Sequence, residues 1–194
     1  MDIVTISIVL GFTAGATQLY GYWVYNRVAG DKINTGSWSM WALAGLIDLA
    51  SYFAVTGDWV VNILPAVCAI AAIATFCYAI ARKRFSWPDK IDWMFVGVDG
   101  AITVVWIFTN AIFANLLYQV NTILSFIPMC RGLLSGREKE KALPWLIWAL
   151  AYSILTWSVL LRFHRWEELA YPLSHVAIHI VVAMIVIFKL RSSR

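Results

Sequence analysis

Seven stretches of about twenty apolar residues, each long enough to cross ~30 Å of hydrocarbon as a helix, run through this chain at approximately 3–26, 37–56, 59–81, 92–109, 111–134, 144–162 and 170–190. The segments between them carry charge or helix breakers: NRVAGDKINTGS, TGD, RKRFSWPDK, the short FTN, SGREKEKALP and RFHRWEE. Hydrophobic residues make up 61% of the chain and charged residues 13%, too apolar a mix to be hidden inside a water-soluble fold of this size. The sequence therefore predicts an all-α integral membrane protein with seven transmembrane helices and the lipid bilayer as its solvent. Only Met1 and Asp2 precede the first stretch, which reads as a retained span and not as a cleaved signal. The three cysteines, Cys68, Cys77 and Cys130, lie in or beside apolar runs, and their odd number argues against a disulfide framework.

Thirteen of the fifteen lysines and arginines fall in the segments after spans one, three, five and seven, while Arg162 and Arg165 lie on the other side. By the positive-inside rule this places the N-terminus outside and the C-terminus in the cytoplasm. The net charge of +4 is thus a record of topology. Basic residues scattered over four flanking loops make no footprint for nucleic acid.

WSMWALA begins at Trp38 and WLIWALA at Trp145, 107 residues later. At the same shift Ser51 pairs with Ser158, Trp59 with Trp166, Pro65 with Pro172, Arg82 with Lys189 and Arg84 with Arg191. Spans two and three thus repeat as spans six and seven, and by extension span one matches span five, with span four left over. An odd linker inverts the chain once, so the two units enter the membrane in the same direction. The expected organisation is a first three-helix repeat over 1–84, a linker helix in 85–110 and a second, parallel repeat over 111–194, with a binding site between the repeats.

In span plan, orientation and repeat the whole chain resembles the SWEET, PQ-loop and PnuC group of transporters. The Pro-Gln pair of that group is represented by Thr17-Gln18 in span one and Pro128-Met129 in span five, each keeping one member. KINTGSWSMW resembles the region that follows the first pair, and EKALPWLIW keeps less of it. The resemblance implies transport of a small solute. The sugar carriers of the group line their pocket with an asparagine on each of the two helices that here carry Cys68 and His175, and no such asparagine stands at these positions.

Candidate site residues follow from polarity inside apolar spans. Asp48 lies near the middle of span two, where a carboxylate must face protein or water, and its partner at the 107 shift is Leu155. It reads either as a proton-coupling or substrate-contacting acid or as a paired structural one. Asp99, between Gly97 and Gly100 in the linker span, suits helix packing or a contact between copies in a homo-oligomer. His175 and His179 share one face of span seven, suited to a cavity lining, a proton relay or helix-to-helix hydrogen bonds. With no further ligands at metal spacing, neither a metal nor a cofactor is expected. Gln18, Tyr118, Asn121 and Ser125 add a polar stripe on spans one and five, and Tyr52, Cys68 and Trp157 are further candidates to line the substrate site. Trp41 and Trp148, one turn inside spans two and six, are candidate gates. Pro65, Pro172 and Pro128 are candidate hinges, although for Pro65 and Pro172 a place in the first turn of a helix, where proline is tolerated, is equally open. The leading functional expectation is a carrier of small polar solutes (sugar, nucleoside or vitamin, or amino acid), a uniporter or proton-coupled, and not an enzyme. The alternatives are a seven-helix receptor or photoreceptor and a membrane-embedded enzyme. Retinal attachment needs a lysine mid-way along span seven, where the only one is Lys189 at its end, and no nucleophile and base stand together for an enzyme.

Overall fold

The structure, a computed structural model, describes residues 2–28, 35–82, 90–136 and 139–192, apart from the side chains of 35–37, 92 and 192. Its elements are α1 (Ile3–Val28), α2 (Thr35–Thr56), α3 (Ile63–Ala81), α4 (Lys90–Phe108), α5 (Ala111–Ser125), α6 (Ile127–Ser135), α7 (Ala142–Leu161), a 3-10 turn (Trp166–Leu169) and α8 (Ala170–Ser192), with no strand among the described residues. Six helical rods are long and apolar enough to cross a membrane, α5 and α6 counting as one rod, Ala111–Ser135. The seventh expected span, α4, has a shorter apolar stretch, Trp93–Phe108, which rises only about 24 Å at 1.5 Å per residue.

Local chemistry sets the ends. Asp2 accepts from the Thr5 backbone N–H at 2.7 Å and so caps α1. That bond holds its carboxyl below the usual aspartate range. Asn110 caps α5 through Phe113 N–H at 2.9 Å, and Gly136 ends α6 at φ +80°, a left-handed conformation that glycine takes without strain. Lys189 of α8 covers the last carbonyls of α6, donating to Leu133 O and to Leu134 O.

Spatial order departs from chain order in the same way twice. α3 packs against both α1 and α2, and α8 against both the α5–α6 rod and α7. Between these groups α1 lies along α7 and α2 lies along α5, while α4 packs chiefly on α5 and α2. The shift of 107 carries one buried face onto another: Ser7, Gly11, Ala14, Gln18, Tyr22 and Tyr25 of α1 pair with Ala114, Tyr118, Asn121, Ser125, Met129 and Gly132, all buried. Trp59 and Trp166 are paired and exposed. The outward faces are apolar, with Ile70, Ile107, Phe108 and Phe188 more than half exposed, as lipid-facing helices require.

Close approach of α1 to its neighbours depends on missing side chains. A Cβ on Gly11 would lie 2.8 Å from the Val60 carbonyl oxygen, and one on Gly21 would lie 2.4 Å from Trp148 Nε1. Small residues at helix contacts let backbones approach where hydrocarbon supplies no hydrophobic drive. This brings Trp148 of α7 up against α1 and sets the floor of the central cavity.

Candidate functional site

A cavity of about 70 Å³, measured as the space open to the centre of a water-sized sphere, lies where α1–α3 meet α5–α8. Three layers of side chains define it. At the end away from the N-terminus, the duplicated tryptophans of α2 and α7 meet the helix break at Phe126. Trp41 stacks on Phe126 with centroids 4.8 Å apart, and Trp145 meets both edge-on at 6.2 and 6.0 Å. Trp38 meets Trp148 at 6.3 Å and donates its indole N–H to Tyr25 OH at 3.1 Å, which donates on to Glu140 Oε1 at 3.1 Å. The repeat thus supplies two indoles from each side to one aromatic plug.

The middle layer is polar. Asp48 accepts from Gln119 Nε2 at 2.9 Å, and Gln119 Oε1 accepts from Ser174 Oγ at 2.8 Å, linking α2, α5 and α8. Asp99 of α4 accepts from Asn121 Nδ2 at 2.6 Å and also lines the cavity. Tyr22 OH and Cys68 Sγ are 3.2 Å apart, and Tyr152 OH donates to the same sulfur at 3.5 Å. His175 Nδ1 lies 2.9 Å from Tyr171 O, and His179 Nδ1 lies 2.6 Å from His175 O. A carbonyl can only accept, so each Nδ1 carries hydrogen and a neutral ring is left with Nε2 as an acceptor. Both rings stack on Tyr152, at 4.5 and 5.3 Å. From α3, Cys68 and Ala72, the residues that match His175 and His179 at the 107 shift, also line the cavity.

At the N-terminal end Tyr52 stacks on Tyr171 at 4.7 Å and donates to Glu168 O at 2.9 Å. Above them Arg162 forms an ion pair with Asp58 and donates to Ser7 Oγ at 3.0 Å. Both links join the α2–α3 side to the α7–α8 side beyond this end of the cavity.

Of the residues singled out from sequence, Gln18, Asp48, Cys68, Asn121, His175, His179, Trp41 and Trp148 line the cavity. Three do not. Tyr52 sits above it, towards the N-terminal end. Tyr118 points to α4, its hydroxyl 2.5 Å from Thr103 Oγ1, because α4 packs along α5 at that level. Trp157 is 64% exposed: the buried face of α7 runs through Trp148, Tyr152, Leu155 and Val159, and two residues past Leu155 a helix has turned about 200° away. Trp41 and Trp148 stand within a single cluster with Trp38 and Trp145. Pro65 and Pro172 are each the third residue of their helices, where the missing N–H breaks no intrahelical bond. Pro128 adjoins the break between α5 and α6. Asp99 and Gln119 complete the polar layer, and a packing role was expected for Asp99. Its isolation as a carboxylate in an apolar span was the signal. Ser174 and Phe126 carried none. No protein-family model, curated protein or solved structure matches the chain.

Proposed function

We propose that this chain is a carrier of small polar solutes that works by alternating access, two parallel three-helix repeats rocking about the central cavity with α4 as linker. The observation that carries the reading is a polar cavity between the two helix groups, with a different set of bridging contacts towards each end: Tyr52, Glu168 and the Asp58–Arg162 pair at one end, the four tryptophans and Phe126 at the other. A carrier needs two such sets, each breakable while the other holds. The twofold helix order, first–third–second on both sides, supports the repeat assignment. The distribution of basic residues supports an N-terminus outside and a C-terminus in the cytoplasm. Asp48, buried and hydrogen-bonded only to neutral groups among the described residues, suits a proton-coupled or substrate-contacting role.

The test is flux. Purified protein in proteoliposomes is screened for uptake of radiolabelled sugars, nucleosides, vitamins, amino acids and small amines, with and without a pH gradient. Saturable uptake of one class, abolished by cross-linking cysteines introduced at 58 and 162, is expected. Saturable uptake that persists after the cross-link, or no uptake of any class by folded protein, refutes the reading.

A further inference from the structure

The cavity wall combines two carboxylates, Asp48 and Asp99, with Tyr22, Trp41, Trp145 and Tyr152, and includes no lysine or arginine among the described residues. Both carboxylates are buried, and neither forms an ion pair among the described residues. Their hydrogen bonds come from the neutral amides of Gln119 and Asn121, so when they are ionised no cationic side chain in the wall balances their charge. Burying uncompensated charge is costly, and an anionic solute would add to it. A neutral solute would leave it in place.

Independent of the acids, four polar atoms in the wall lack partners among the described residues: Gln18 Oε1 and the indole Nε1 of Trp41, Trp145 and Trp148. Gln18 Oε1, on a side chain 1% exposed, is an acceptor with no donor, and Trp145 Nε1, also on a side chain 1% exposed, is a donor with no acceptor. Buried polar groups are paired as a rule, so these two call for a ligand that both donates and accepts. The aromatic faces supply the remaining recognition, since a cation within about 6 Å of an indole or phenol ring is attracted by its quadrupole. The cavity, about 70 Å³, suits a small solute.

Building on the carrier reading, we infer that the solute is a small organic cation bearing a hydroxyl, its charge held between Asp48, Asp99 and the aromatic wall, its hydroxyl donating to Gln18 and accepting from Trp145. Protein in lipid nanodiscs is titrated calorimetrically with choline, with tetramethylammonium, with the neutral isostere 3,3-dimethylbutan-1-ol, and with sodium chloride in place of the organic salt. Choline should bind at least about tenfold more tightly than the isostere and more tightly than tetramethylammonium, and Asp48→Asn or Asp99→Asn should weaken it by about tenfold. Equal binding of choline and its isostere overturns the inference, as does absence of heat with both organic cations or the same heat from sodium chloride. Unchanged choline affinity in both folded variants overturns it too. Should one variant fail to fold, the other variant and the isostere comparison on the parent protein decide. Uptake of a neutral solute without choline binding would sink this inference and leave the carrier reading standing. Choline binding without flux of any solute would do the reverse.

Discussion

Gly21 on α1 is the position where one methyl group should do most damage. A Cβ there would lie 2.4 Å from Nε1 and 2.5 Å from Cδ1 of Trp148, and 3.2 Å from Ile147 Cγ2. Ordinary van der Waals contact begins near 3.4 Å, so the indole must retreat by about 1 Å. It has little room to do so: Trp145 and Tyr22 stand with centroids 5.0 Å away, Tyr25 at 5.5 Å and His179 at 5.7 Å. Overpacking of this kind costs about 1–3 kcal/mol. For a chain of this length that corresponds to a fall in melting temperature of roughly 2–4 °C per kcal/mol. The assay is the melting temperature of Gly21→Ala in detergent, beside Gly97→Ala on α4, where an added Cβ meets nothing within 4 Å. The cause is isolated by a double-mutant cycle: in a Trp148→Ala background the methyl has space, so the Gly21→Ala penalty should nearly vanish. An unaltered melting temperature, or the same penalty in both backgrounds, refutes the claim that α1 and α7 meet through this contact.

Trimming Trp41 to Ala should speed solute leak or lower selectivity if the aromatic plug is the inner gate. If the ring only packs, the variant should lose stability, by less than the about 3–5 kcal/mol of a fully buried ring because Trp41 is partly buried, with selectivity intact; flux and melting temperature measured together separate the two. Asp58→Asn weakens the part-buried pair with Arg162, so its effect on stability should fall between the about 1 kcal/mol of an exposed pair and the about 3–5 kcal/mol of a buried one. In a protein with Cys77 and Cys130 replaced by alanine, the same change should speed modification of Cys68 by a membrane-impermeant thiol reagent added from the N-terminal side, and an unchanged labelling rate would count against a closure at that end. Trp157→Ala should leave both flux and affinity at the parent level, since the ring faces outward; a loss of affinity would return it to the solute site.

What the sequence determined by itself is what one dimension can hold. Length and hydropathy specified the membrane spans, because crossing hydrocarbon needs about twenty apolar residues whatever surrounds them. The 107-residue shift paired Trp38 with Trp145 and Pro65 with Pro172, and in the structure these pairs match in burial. Much of the polar cavity was legible on the same footing: Asp48, Asn121, His175 and His179 are too polar for lipid, so each had to face inward. α4 was the weakest of the spans by that measure, its apolar stretch shortened by Lys90 and Asp92. Tertiary structure decided the remainder. Trp157 and Trp148 are the same residue type on the same helix, yet one is 64% exposed and the other 2%, since burial depends on which side of α7 meets α1. Asp99 joined the cavity only because α4 lies against α2 and α5. A helix turns about 100° with each residue, so a residue's face is fixed by the neighbour its helix packs against, and that neighbour is chosen by contacts between segments far apart in the chain.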